Sequence, residues 1–495
     1  MMRSRGLLVA AAPVVLASAC LAGPRYVPET VASSRERIGV TRTGDSANAF
    51  FDSLAAARRA DTARIAAVPA VRRLAAIDSL TSFAWLDLLR DTTLTRLVDV
   101  ALQQNRDLRV AEARIREFRA AVGVSKAPLV PSVALNGSES SNQVVLGSFP
   151  PSAYRAARVT ADLTWELDFW GRLRRGVQAA SADLGAQEAA ERATVLSLVS
   201  NVATSYLQLL ELDQERLVAQ QTLSSRQATL DVARARYSEG LTSELDVRQF
   251  EAQVAAPAVT LAQTERATAV TEHNLNVLLG EGPTAIPRRG TLAAAVEALS
   301  IPDSIPAGLL ARRPDVQQAE RNYAAAHARI GVADAARLPT VSIVGSLGSQ
   351  AGVPNNVFGD NTHVYQLFAG VSFPVFDNRR LANLSAEARA RADQAKASYE
   401  STALNAIREA NDALAGVRAA RDEVAAQATQ ARALRQALSL AESRYDAGLS
   451  SYLDLLDAQR SLFSAELALS QAQLGELTAA VQLYKALGGT WTTSR

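Results

Sequence analysis

The chain holds a single cysteine, Cys20, among 495 residues, so no disulfide can form within it. Histidine is almost as scarce, and His273, His327 and His363 stand in no ligand spacing. No glycine-rich phosphate loop follows a strand pattern and no nucleophile motif occurs, so the sequence points to no enzyme and no cofactor. An excess of one charge is missing too. The net charge is +2 with average charged content, which implies no polyanionic partner and sets nucleic acid aside. Beyond Cys20 no apolar run approaches the ~20 residues a membrane-spanning helix requires, so any crossing of a bilayer falls to strands. Proline is absent from 178–238 and 383–446, where glycine is confined to Gly185 and Gly416. Each stretch reads as one helix of about 60 residues, ~90 Å long, and helices of that length argue for coiled-coil packing.

What is present is present twice. Around Arg236 the chain reads R-Y-S-E-G-L-T-S-E-L-D-V, and around Arg444 it reads R-Y-D-A-G-L-S-S-Y-L-D-L; the offset, 444 − 236, is 208 residues. The same offset pairs Asp107 with Asp315, Pro131 with Pro339 and Gly137 with Gly345. One duplicated unit accounts for that constant register, and it replaces the three-domain expectation that length alone would give. The expected division is a leader over 1–19, an N-terminal arm and insert over 20–90, a first repeat over 91–295, a second over 296–487 and a tail over 488–495.

Residues 1–20 carry Arg3 and Arg5, then the apolar run Leu7 to Ala17, then small residues up to Cys20, the layout of a secretory leader. The position of Cys20 at the cleavage point marks a lipid-modified N-terminus; an ordinary cleaved leader with an incidental cysteine is the alternative. In each repeat a helix comes first, over Thr93 to Val124 and about Val316 to Ala335, ending shortly before Pro131 or Pro339. The period then changes to two. Val159, Ala161, Leu163, Trp165 and Leu167 alternate with Thr160, Asp162, Thr164, Glu166 and Asp168, as in a strand between lipid or core and water. Its mate is Ser132 to Ser138, and Val341 to Leu347 with Leu367 to Val375 repeats the hairpin. Four strands cannot close a membrane barrel, whose smallest bacterial form needs about eight, so several chains must share one. The alternative is a small soluble sheet packed on helices.

Each long helix ends at a glycine, Gly240 or Gly448, followed by Ser243 to Asp246 or Ser451 to Asp454. Glycine suits a left-handed helix stop, and Ser-x-x-Asp is a capping box that starts the next helix, so each half folds back as an antiparallel hairpin. The returning helix of the second half has Leu455, Leu462 and Leu469 alternating with Ala458, Ala465 and Ala472 in a 3-4 seam, while Pro257 interrupts the same seam in the first half and is expected to kink the helix or break its ladder. Capping suffices to explain Asp246 and Asp454. Asp457 lies one turn beyond Asp454 on the same face and caps nothing; copies converging on an axis would stack the two into acidic rings, a cation-binding device, whereas the plainer reading is a solvated acidic face.

With C-L-A-G-P-R-Y-V-P at Cys20 to Pro28, W-E-L-D-F-W-G-R at Trp165 to Arg172, R-R-P-D-V-Q-Q-A-E at Arg312 to Glu320 and Y-D-A-G-L-S-S-Y-L-D-L-L-D-A-Q at Tyr445 to Gln459, the chain resembles the TolC-type outer-membrane efflux family, in its lipoprotein branch serving resistance-nodulation-division drug pumps. The resemblance implies a mainly α fold with a membrane β-barrel contribution: a homotrimer in which each chain adds four strands to a shared twelve-stranded barrel and long helical hairpins to a periplasmic tunnel. It implies a passive exit duct for drugs or other small solutes in the bacterial outer membrane, lipid-anchored at Cys20 and partnered by a periplasmic adaptor (membrane fusion protein) and an inner-membrane pump. It further implies a gate in which Tyr445 bonds toward Asp246 and in which Asp454 and Asp457 form the constriction. An arginine that assists closure in some members aligns with Ser450, so that link is absent. A periplasmic coiled-coil adaptor or structural lipoprotein is the rival reading.

Overall fold

The computed structural model describes residues 22–24, 26, 37–38, 91–144, 152–299, 305–306 and 311–489. The leader, Cys20, nearly all of the 36–80 insert and most of the tail lie outside the described residues. In chain order the elements are a short strand β1 (Arg37–Ile38), helices α1 (Thr92–Gln104) and α2 (Arg106–Lys126), strands β2 (Ser132–Val144) and β3 (Ser152–Leu167), and helices α3 (Arg172–Ser238), α4 (Glu244–Leu279) and α5 (Leu292–Ala298). There follow β4 (Ile305–Pro306), α6 (Pro314–Ala335), β5 (Thr340–Ala351), β6 (His363–Ser372), α7 (Arg380–Asp446) and α8 (Tyr452–Ala486). The two 67-residue helices α3 and α7 start and stop 208 residues apart, as do the starts of α4 and α8. Two compact units emerge, each drawing on both repeats.

The first unit gathers residues up to 28, 114–188 and 318–399. Its centre is an antiparallel sheet of order β2-β3-β5-β6. The register sorts side chains by polarity. Val133, Leu163, Gly345 and Leu367 form one row across the four strands, and Leu135, Ala161, Leu347 and Tyr365 the next. The rows on the other face read Ala134, Asp162, Ser346, Gln366 and Asn136, Thr160, Gly348, Val364. Val133, Leu135, Leu347, Tyr365 and Leu367 are all exposed. The last strand is shifted from the span its alternation predicts: β6 begins earlier, at His363, and stops at Ser372, so Phe373 and Val375 lie beyond it, because Pro374 offers no N–H to continue the ladder.

The Trp165 to Arg172 motif turns strand into helix. Asp168 accepts from the backbone N–H groups of Leu173 and Arg174 at 3.0 and 2.9 Å, while Glu166 takes both prongs of Arg172 and Trp170 Nε1 donates to Pro339 O at 2.6 Å. The N-terminal residues lie against the same turn. Ala22 N–H donates to Trp170 O at 2.8 Å, and Arg175 donates to the carbonyls of Ala22, Gly23 and Pro24. This path passes Gly331 closely enough that a Cβ there would meet Ala22 O at 2.9 Å, and Gly23 itself has φ +88.

The second unit takes 29–113, 189–317 and residues from 400 onward. Its main core joins α1, the middle of α3, the end of α4, α5 and the end of α8 around Leu94, Val202, Tyr206, Leu209, Leu275 and Tyr484. Contrary to the expectation of no apolar stretch long enough, α3 contains an 18-residue window of sufficient length and hydropathy to span a bilayer, with half of it buried inside the chain. The apolar side chains of this helix are needed for that core, and no more than two charged residues interrupt the run. The first helix of the repeat is also divided. Asn105, 4% exposed, donates its amide to Leu278 O at 2.9 Å and accepts from Leu108 N–H at 3.0 Å, ending α1 and starting α2.

Candidate functional site

The hairpin tips of the second unit hold the residues singled out by the repeat. Gly240 and Gly448 have φ +73 and +69, the left-handed turn that only glycine adopts without strain. Ser243 and Ser451 then cap α4 and α8 in complete capping boxes with Asp246 and Asp454. Four leucines in matching positions, Leu241, Leu245, Leu449 and Leu453, are largely exposed at the two tips.

Asp246 is occupied. Its Oδ2 accepts from Thr242 Oγ1 and Ser243 Oγ, each at 2.8 Å, and from Ser243 N–H at 3.1 Å. The Thr242 and Ser243 bonds hold its carboxyl below the ordinary carboxylate range. No bond from Tyr445 to Asp246 of the kind the resemblance implies is present within the chain among the described residues; the cap and Thr242 engage Oδ2 of the carboxylate. Tyr445 is instead faced by Arg236, whose guanidinium carbon lies 5.0 Å from the ring centroid, a cation–π contact between the ends of the two long helices. Ser450, where a closing arginine would align, has a buried hydroxyl with no partner.

Just above the tips the hairpins interlock. Tyr452 of α8 packs at a tilt of 54° against Phe250 of α4, 4.1 Å between centroids, beside the small core of Leu230, Ala233 and Val247. Burial first, and then the charges of Asp246 and Tyr445, push its hydroxyl up to about 12, so it stays protonated. Asp457 pairs with Arg460 at 2.9 Å on an exposed face, and Asp454 is held by its cap. The structure thus brings Asp246, Tyr445 and Tyr452 into one electrostatic neighbourhood and gives Asp457 a partner. Arg236 and Tyr452 were not picked out by sequence reasoning, although Arg236 heads the very motif that revealed the repeat.

An antiparallel sheet with one exposed apolar face, in a duplicated chain of long capped helical hairpins, defines a membrane-inserted protein of strand type. The sequence profile of the family described as outer membrane efflux protein matches residues 97–281 and again 305–489. The chain is 36% identical over 420 residues to the solvent efflux pump outer membrane protein SrpC of Pseudomonas putida, covering 83% of this chain and 88% of that protein. It is 34% identical over 446 residues to outer membrane protein OprJ of Pseudomonas aeruginosa, covering 86% and 89%. Among solved structures, the outer-membrane channel OprN superposes with a TM-score of 0.76 at 31% identity, over 82% of this chain and 92% of that one. The chain belongs to the outer membrane efflux protein family. It is an outer-membrane channel component of an efflux system, and its fold is that of the TolC-like channels.

Proposed function

We propose that three copies of this chain form one passive exit duct, each adding four strands to a shared twelve-stranded barrel and two helical hairpins to a tunnel through the periplasm. The observation that carries this reading is the sheet, whose apolar face is continuous over four strands while β2 and β6 are left as edges. An unpaired backbone group in hydrocarbon costs several kcal/mol, so open edges there are removed by pairing with identical neighbours. The reading divides the chain as leader (1–19), arm (20–90), two repeats (91–295 and 296–487) and tail (488–495), with an acyl group on Cys20. Drugs or other small solutes would be delivered by an inner-membrane resistance-nodulation-division pump through a periplasmic adaptor docking on the exposed leucines of the tips. The relatives named for solvent efflux and for cation efflux support small solutes as the cargo class. No chemistry is assigned to the duct; the pump supplies the energy, and adaptor binding favours the open tip by differential affinity. Tyr445 with Arg236, Asp246, Asp454 and Asp457 would form the closing end. A periplasmic adaptor or structural lipoprotein would have no use for the sheet.

The deciding experiment is purification in detergent followed by electron microscopy and planar-bilayer recording. A threefold particle with a rod on a short cylinder, conducting ions, is expected; a stable soluble monomer without detergent would end the reading. Replacing Tyr445 and Asp246 by nonbonding residues should raise conductance, and unchanged conductance would remove them from the gate.

A further inference from the structure

Pro257 lies inside α4 and cannot donate the N–H that would normally reach the carbonyl of Gln253, four residues back. That carbonyl is not left bare. Arg226 of α3 donates Nη1 to Gln253 O at 2.9 Å and to Gln253 Oε1 at 3.2 Å. Its Nη2 reaches Gln459 O of α8 at 3.4 Å, and its guanidinium carbon sits 5.2 Å from the centroid of the Phe463 ring. The residue is 2% exposed, its Nε has no partner, and among the described residues no carboxylate pairs with it. A cation so deeply buried without a counter-charge is costly to keep, so its retention calls for a structural reason beyond packing.

The internal repeat supplies that reason. At the 208-residue offset, Ala465 stands where the first copy has Pro257, and Leu434 stands where it has Arg226. The copy with an unbroken ladder has an apolar residue in place of the arginine. The copy with the broken ladder has the donor that repairs it. Proline and arginine occur together or not at all within this one chain.

The position matters for the tip. Pro257 lies 11 residues after Asp246, about 16 Å along α4 at 1.5 Å per residue, so the segment carrying Asp246, Val247 and Phe250 lies on the tip side of the interrupted bond. Arg226 holds that segment from α3 about one turn past Phe250 and grips α8 with its other prong about two turns past Tyr452. We propose that Arg226 is a positioning residue for gate closure: it substitutes from α3 for the hydrogen bond that Pro257 removes from α4, and the tip half of α4 swings outward when this substitute bond is released. The interrupted ladder is a hinge, and the guanidinium is its latch. This rests on the channel reading above. It adds that the two hairpins of a protomer are not equivalent in opening, since the first has a hinge and the second does not.

The test uses the full-length protein in planar bilayers, with two substitutions that copy the second repeat into the first. R226L removes the latch and leaves the hinge, and conductance at fixed voltage is expected to rise about fivefold, the two-state shift that loss of one buried hydrogen bond produces. R226L/P257A restores the backbone N–H to Gln253 O and is expected to return conductance to the wild-type level. In parallel, amide exchange over 244–256 should accelerate in R226L and recover in the double variant. A loss of buried charge acting only through packing would not be rescued by a proline replacement, so R226L/P257A as leaky as R226L overturns the proposal, as does R226L at wild-type conductance. Should R226L fail to assemble, R226K carries the comparison: lysine lacks the fork whose separate nitrogens reach Gln253 O and Gln459 O, so leak above wild type that P257A suppresses is expected, and wild-type leak, or leak that P257A does not suppress, is decisive against. A wild-type protein that forms no conducting pore at all would sink the channel reading instead, which keeps the two failures apart.

Discussion

The hydroxyl of Tyr206 donates to Asp91 Oδ2 at 2.6 Å, tying the middle of α3 to the residue that starts α1. The other carboxylate oxygen of Asp91 accepts from Thr93 N–H at 2.8 Å and Leu94 N–H at 3.3 Å, so one side chain caps a helix and satisfies a fully buried phenol. Burial, and then the bond and charge of Asp91, raise the Tyr206 hydroxyl far above its ordinary value, so it remains a donor at any physiological pH. Asp91→Ala removes the cap and orphans the hydroxyl at once, a loss of about 2–3 kcal/mol. Asp91→Asn keeps an acceptor and should lose less. Thermal unfolding of the assembled protein checks the order; equal midpoints for wild type and Asp91→Ala would contradict it.

Glu211 gives a pH dependence. It is 5% exposed on α3, and one of its oxygens has no partner. Burial, followed by the hydrogen bond and charge of Glu215, pushes its carboxyl from 4.5 up to about 8. A carboxyl raised on folding favours the folded state when protonated. Its contribution is complete below about pH 4.5 and is lost as pH rises through about 8. The unfolding midpoint of the wild type should fall across that window, and Glu211→Gln should flatten the fall and be the more stable protein at its upper end. A slope untouched by the substitution would show that other groups set it.

The two faces of the sheet should respond oppositely to charge. Leu367→Arg places a guanidinium on the apolar row shared with Val133, Leu163 and Gly345, at a cost of about 2–4 kcal/mol near a bilayer midplane. Gln366→Arg lies on the polar row with Ala134, Asp162 and Ser346 and should be tolerated. The yield of membrane-inserted, heat-modifiable oligomer from each variant makes the comparison, and equal yields would argue against a lipid-facing row.

Asp454→Ala with Asp457→Ala should abolish block of the channel by multivalent cations. Arg460→Ala should have the reverse effect, since it frees the Asp457 carboxylate from its ion pair and leaves a more negative constriction. Block that persists in the double aspartate variant would place the cation site elsewhere.

Elements fixed by local chemistry were legible from the sequence. Gly240, Ser243 and Asp246, like Gly448, Ser451 and Asp454, contain their own stop and start signals, and both long helices end within one turn of those residues. The strands were legible because alternation needs no knowledge of neighbours. Elements decided by distant partners were not. Asn105 divides α1 from α2 through a bond to Leu278, 173 residues away, while the apolar period runs on through the break. The pairing of β1 with β4 joins Arg37 to Pro306 and has no pattern of its own. At the tips, the spacing announced a capping carboxylate in Asp246, but nothing in the sequence placed Arg236 over the Tyr445 ring.

The docking of Ala22 to Trp170 and Arg175 sets how a tether at the N-terminus can act. Cys20 stands two residues before Ala22, a reach of about 7 Å at most. The acyl group proposed for Cys20 would have almost no slack, and so could not wander over the leaflet like the anchor of a floating enzyme. On that proposal it would work as a depth stop, holding the foot of β3 level with the lipid headgroups. Lengthening that leash by a few glycines would leave the fold alone and loosen only how deep the wall sits.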